Sequence, residues 1–231
     1  MNGKKILIIG ASSGIGQSIA QMAVAQGAEV ISASRNKPNI SGVTHYHLDI
    51  NDQEPDLSFI PEVLDGLVYC PGTINLKPFH RLSLSDFQHD LDINVLGAVK
   101  AIQKYLPILK NGDKPSIILF STVAAKLGMP YHASIATAKS GVEGLVKSLG
   151  AELAPTIRIN AIAPTVTDTE LASKLLRNEK MIENITERHP LKKFLNPEEV
   201  ADMAEFLLSN KSASISGQTF QMDCGIVTFK I

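Results

Sequence analysis

Between a short apolar run and a segment of helical periodicity the sequence reads GASSGIG, which places Gly10, Gly14 and Gly16 where a strand would turn into a helix. Glycines at this spacing let backbone N–H groups close on a phosphate at the positive end of a helix. Gly10 permits the tight turn, Gly14 allows the close approach and Gly16 lets the helix sit near the sheet, with Ser12, Ser13 and Ile15 completing the turn. A dinucleotide is the ligand expected here; the plain alternative is a packing turn that binds nothing. After the next apolar run, where a carboxylate would grip a ribose 2′-hydroxyl, stands Ser34-Arg35. Arg35 can pair with a 2′-phosphate instead, so NADP(H) is expected in preference to NAD(H). The missing acid also argues against a methyltransferase use of the loop. Asp49, following the third run, is expected either beside the adenine or as a plain turn residue.

These residues need a scaffold. Seven apolar runs, 4–10, 28–34, 43–48, 65–70, 116–121, 157–163 and 218–223, alternate with helical patterns over 14–26, 85–109, 132–153, 168–187 (in one or two pieces) and 197–209. Strands this apolar, separated by helices, predict an α/β fold: a doubly wound parallel sheet of about seven strands covered on both faces. Asn196, Pro197 and two glutamates mark a helix start. Residues 35–42 are too few for a helical crossover, and 49–64, with Pro55 and Pro61, has room for a turn or two of helix. No repeat or linker divides the chain, so residues 1–231 are expected to form one domain.

Composition narrows the partners. With 22 Lys+Arg against 23 Asp+Glu and a net charge of −1, nothing favours nucleic acid or an anionic membrane; a small molecule is expected. Two cysteines, Cys70 and Cys224, lack zinc or CxxC spacing and read as reduced thiols. The apolar run 6–9 is too short for a secretory signal, and no stretch approaches the ~20 apolar residues of a membrane span, so a cytoplasmic protein is expected.

Four motifs, in order, resemble the short-chain dehydrogenase/reductase family of the single-domain type: GASSGIG, DINVLGAVK with Asn94, INAIAPTVTDTEL with Pro164 and Thr169, and SISGQTFQMDCG. The resemblance runs along essentially the whole chain. It implies a Rossmann-like fold, an NAD(P)-dependent oxidoreductase, a homodimer or homotetramer, and cofactor contacts from Asn94, Pro164 and Thr169. Thr165 replaces a family glycine, and the family's NNAG appears as YCPG, keeping only Gly72, where the chain passes close to the cofactor.

The graver departure lies in FSTVAAKLGMPYHASIATAK. Family spacing aligns Thr122 with the catalytic serine (Ser121 is one residue out of register), Lys139 with the lysine, and Ile135 with the tyrosine that would protonate a carbonyl oxygen. Ile135 carries no proton, while Lys139, one helical turn away on the same face, can still reach a ribose. Losing a general acid lowers a rate by about 10²–10⁴. Tyr131, His132 or a water held between Lys139 and Asn94 are the conceivable substitutes. The expected activity is hydride transfer to or from a small carbonyl, alcohol or activated C=C substrate; the competing expectation is a catalytically silent nucleotide-binding protein of the same fold.

Weaker signals read more plainly. His45 and His47 share a strand face but have no third ligand at a defensible spacing, so no metal is expected. Cys70 reads as a small buried residue. Along 132–153 one face is small, with Ser140, Gly141, Gly144 and Ser148, as a close helix contact within or between subunits would require. Residues 168–190 resemble the family's substrate lid, with Leu171, Leu175 and Leu176 placed to cover substrate or pack on the body.

Overall fold

A computed structural model describes residues 1–52, 56–59 and 62–229. All seven apolar runs become strands: β1 (Lys5–Ile9), β2 (Glu29–Ser34), β3 (Val43–His47), β4 (Gly66–Tyr69), β5 (Ser116–Phe120), β6 (Arg158–Pro164) and β7 (Thr219–Met222). They pair in parallel in the order β3-β2-β1-β4-β5-β6-β7, so the chain reverses its direction of winding between β1 and β4. An open α/β sheet has its crevice at that switch point, beyond the carboxyl ends of the strands.

The helices are α1 (Gly14–Ala25), α2 (Leu84–Leu91), α3 (Gly97–Leu109), α4 (Ala133–Leu153), α5 (Glu179–Arg188) and α6 (Pro197–Leu208). Helices α1 and α6 cover one face over a core that includes Ile6, Ile8, Ile19 and Leu208; α3 and α4 cover the other over Leu7, Leu67, Tyr105 and Val146. The start read at Asn196 is a capping box, closed by Glu199. Residues 35–42 form bends and turns without helix, and so do the described residues of 49–64; Pro55 and Pro61 lie outside the described residues.

The long helix expected over 85–109 is broken. A single π turn, Asp92–Leu96, separates α2 from α3. Such turns widen the helix and release a carbonyl from the ladder. Here the buried Tyr69 hydroxyl donates to the Ile93 carbonyl at 2.6 Å, and a Cβ on Gly97 would collide with that hydroxyl. The distortion therefore depends on Tyr69, in a distant strand, and on the glycine facing it. The segment expected as helix over 168–187 resolves into one 3-10 turn, Glu170–Ala172, and α5.

On the buried side of α4, Gly150 packs against the backbone of Gly217; on the small face a Cβ on Gly141 would meet Val95 at 3.4 Å, and one on Gly144 would meet nothing within 4 Å. Within the subunit the small face is therefore in contact at Gly141 and open at Gly144.

Candidate active site

A cleft of about 1310 Å³ runs across the carboxyl ends of the central strands. At one end lies the glycine turn. Gly14 has φ +55 and a Cβ on Gly16 would strike the Gly10 carbonyl, so side chains are excluded at these two positions. Ser13 is the N-cap of α1 but makes no side-chain cap bond, and no acid occupies the first turn. The first N–H groups of α1 thus keep their donors beside the cleft, with the helix dipole behind them. Ser12, Ile15 and Gly10 also line this end. A diphosphate fits such a cradle.

Next along the cleft are Ser34, Arg35 and Asp49. Ser34 donates to the Asn36 carbonyl at 2.8 Å, fixing the bend that leaves Arg35 exposed at the mouth. Asp49 accepts from the Asn51 backbone and side chain at 3.0 and 2.8 Å, and these bonds, with the nearby Arg35 charge, hold its carboxyl below the usual range. Thr169 stands over Gly14, and Pro164 and Gly72 form the facing walls.

The other end holds the groups suited to chemistry. Thr122 caps the short turn after β5 by accepting from the Ala124 N–H at 3.4 Å, which leaves its own O–H to donate into the cleft. Ser121, one residue earlier, points the opposite way and donates to Glu143 Oε1 at 2.9 Å, so its hydroxyl is committed inside the protein. That alternation follows from the extended backbone at the strand end. Ile135, 5% exposed, lines the cleft, and Lys139 reaches it one turn later with Nζ donating to the Phe120 carbonyl at 2.8 Å. Burial pulls the Lys139 ammonium down to about 8.

Two expected residues lie off the cleft wall. Tyr131 adopts φ +71 and is 59% exposed, so the Pro130 turn carries its ring away from Ile135 and Lys139. Asn94 is buried behind Gly72 in the π turn, donating to Thr73 Oγ1 at 2.9 Å and to the Asp90 carbonyl at 2.7 Å. His132 does line the cleft, with Nδ1 committed to the Pro130 carbonyl at 2.7 Å. Among the described residues no three metal-binding side chains come together, and His45 Nδ1 lies 3.2 Å from Ser32 Oγ. No helix among them is long and apolar enough to cross a membrane.

Several participants carried no sequence signal. Thr73 and Asp90 form a hydroxyl–carboxylate pair against Asn94; only the four-residue spacing of Asp90 and Asn94 hinted that they share a face. The buried His189, at the end of α5, accepts from Thr165 at 2.7 Å and donates from Nδ1 to the Ile185 carbonyl at 2.7 Å. Thr165, in place of glycine, thus ties the 168–190 segment to β6. Within that segment Leu171 and Leu175 line the cleft, and Leu176 does not. The Cys70 thiol is desolvated beside Gly16 and pushed up to about 12.

Residues 10–227 match the enoyl-(acyl carrier protein) reductase family model. The chain is 31% identical to a 3-oxoacyl-(acyl-carrier-protein) reductase of Thermotoga maritima, with 98% of this chain and 99% of the relative aligned. Among solved structures, it superposes on Thermoplasma acidophilum aldohexose dehydrogenase with a TM-score of 0.93 at 27% identity, covering 99% and 96% of the two chains. An NADP-bound putative 2-deoxy-D-gluconate 3-dehydrogenase of Agrobacterium tumefaciens gives 0.92 at 28% identity, covering 99% and 98%. A seven-stranded parallel sheet, a glycine turn aimed into its crevice and these full-length matches place the chain in the short-chain dehydrogenase/reductase family of NAD(P)-dependent oxidoreductases.

Proposed function

We propose that the protein is an NADP(H)-preferring oxidoreductase that moves hydride to or from a small carbonyl, alcohol or activated C=C substrate, using an altered proton donor. The observation that carries this reading is the continuity of one cleft, from the glycine turn and Arg35 to Thr122, Ile135 and Lys139. The glycine turn and the N-terminus of α1 would hold the diphosphate, Arg35 the 2′-phosphate, and Lys139 the nicotinamide ribose. A bound nicotinamide supplies or accepts the hydride. Thr122 would orient the substrate oxygen through its free O–H, and the 168–190 segment, with Leu171 and Leu175, would set which substrates fit. The relatives' names span 3-oxoacyl-(acyl-carrier-protein), aldohexose and 2-deoxy-D-gluconate, which supports a carbonyl or alcohol as the reacting group.

Cofactor choice tests the reading directly. Calorimetric titration should show tighter binding of NADPH than of NADH, and Arg35→Ala should remove most of that difference, since its guanidinium is the group placed to pair with the 2′-phosphate. Equal affinities in the wild type would sink the NADP(H) preference. Binding of NADPH without turnover of ketones, quinones, imines or activated alkenes would instead support a silent nucleotide-binding protein, the reading favoured by Ile135 in the donor position.

A homodimer or homotetramer is proposed on the open part of the small α4 face, where Gly144 leaves room for a partner helix. Light scattering should then give a particle of two or four chains at micromolar concentration, and Gly144→Leu should shift it toward monomer. A monomeric wild type would refute this.

A further inference from the structure

The polar groups buried behind Gly72 are not accounted for by dinucleotide binding. Asp90 is fully buried, yet only one carboxylate oxygen has a partner: Thr73 donates to Oδ1 at 2.5 Å, and Oδ2 is bare. That length is typical of a charge-assisted O–H···O⁻ bond. Asn94 spends its amide hydrogens on Thr73 and the Asp90 carbonyl, and its own Oδ1 is unpartnered. A Cβ built on Gly72 would stand 3.3 Å from that oxygen and 3.5 Å from Lys139 Nζ, so the amide oxygen and the ammonium border one small space. A buried carboxylate with a bare oxygen is costly unless a cation lies near it.

Lys139 Nζ is the cation that borders this space. From β5 the Phe120 carbonyl takes one ammonium proton. Cys70, after β4, is held as a neutral thiol by burial. Glu143, one turn further along α4, is already engaged by Lys126 at 2.8 Å and by Ser121. Burial lowers the Lys139 pKa; a Cys70 thiolate would oppose this most, but that thiol is neutral, which leaves Asp90 in α2, with its bare oxygen, as the opposing charge among the described residues. Two ammonium protons remain for the cleft, one turn from the side chain that cannot donate.

We propose that Lys139 is itself the proton donor of this site, and that the buried Asp90 carboxylate, fixed by Thr73, is the counter-charge that keeps it protonated. The donor role rests on the oxidoreductase reading above; the pairing rests on the buried bare oxygen of Asp90 and on the space that Lys139 Nζ shares with Asn94 Oδ1. With hydride arriving at the acceptor carbon, the acceptor π bond would break toward oxygen, and that oxygen would take a proton from Lys139. The N–H bond would break as the O–H bond forms, and the neutral amine would regain a proton from the buffered solvent. Lys139 acts on the reacting atoms; Asp90 is a positioning residue.

The test is competitive labelling of lysines on the full chain with trace acetic anhydride, read by mass spectrometry from neutral to alkaline pH. Lys139 should half-titrate near about 8, and Asp90→Asn should lower that midpoint by roughly one unit or more, because an opposite charge has been removed. With NADPH saturating, wild-type reduction should fall as pH rises through the same midpoint, and Asp90→Asn should move the fall by the same amount. Should Asp90→Asn not fold, Thr73→Val, which removes the hydroxyl that holds Asp90 Oδ1, should move both readouts together and by the same amount. Lys139 titrating near ~10.4 like an ordinary lysine, or a midpoint indifferent to the substitution, overturns the pairing. A midpoint that moves while the rate profile stays overturns the donor role. Absence of any turnover in the wild type overturns the oxidoreductase reading and the donor step with it, while labelling still decides the pairing.

Discussion

Gly16→Ala is expected to abolish tight dinucleotide binding and to destabilise the fold, although it adds a single methyl group. The new Cβ would collide with the Gly10 carbonyl, a backbone atom that cannot turn aside, and would crowd the Cys70 sulfur at 3.2 Å. Either α1 moves off the sheet or the Gly10 turn opens, and both pull the first N–H groups of the helix away from the phosphate position. Overpacking of this kind costs about 1–3 kcal/mol, which in a domain of this size lowers Tm by about 2–4 °C per kcal/mol. Gly128→Ala supplies the control, since this exposed glycine has no positive φ and its Cβ would meet nothing within 4 Å. Replacing a glycine at such a position should leave stability unchanged or raise it by about 0.4–1 kcal/mol. Thermal unfolding and NADPH titration of both variants check the claim; Gly16→Ala with wild-type affinity would show that the turn is not the phosphate cradle.

The contrast between these glycines shows what the sequence could and could not disclose. Gly16 was legible because a turn between an apolar strand and an amphipathic helix has one common use. The sheet was legible for a similar reason: strands buried on both faces read as near-continuous apolar runs, as KILII, GLVY and SIILF of β1, β4 and β5 do. The π turn was not, because its cause is a tyrosine hydroxyl more than twenty residues upstream whose partner carbonyl carries no side-chain signature. Tyr131 and Ser121 show the same limit on a smaller scale. Their types suit proton transfer, but a positive φ turns one ring to solvent and strand alternation turns the other hydroxyl toward Glu143. Asp90 is the clearest case. In DLDIN it resembles any solvated helix acid, and only the packing of α2 against α4 buries it completely. Residues defined by their immediate neighbours can be read in advance; those defined by a partner across the fold cannot.

Installing a tyrosine at position 135 should raise the reduction of simple ketones by at least about tenfold. Ile135 lines the cleft, so a longer side chain can extend into open volume, and Lys139 stands one turn away with ammonium protons to spare. The phenol would lie between that ammonium and the free O–H of Thr122, both of which stabilise an oxygen that is losing a proton. A full general acid contributes roughly 10²–10⁴; the gain should be smaller because Lys139 already donates. Activated alkenes, quinones and imines, which need less protonic help, should gain least. The pH dependence separates the two donors. Below about 8 the Lys139 ammonium is present and the wild type should be fully active, and above it the activity should fall as that proton is lost. In Ile135→Tyr the fall should move to higher pH, because a phenol ordinarily keeps its proton to ~10, beyond the range of this ammonium. Steady-state rates on a ketone and a quinone across that pH range, with NADPH saturating, make the comparison. If the variant folds, binds NADPH and still reduces nothing, the loss of activity is not confined to position 135. The cleft then serves to hold a nucleotide, with Lys139 and Asp90 remaining only as part of the binding site.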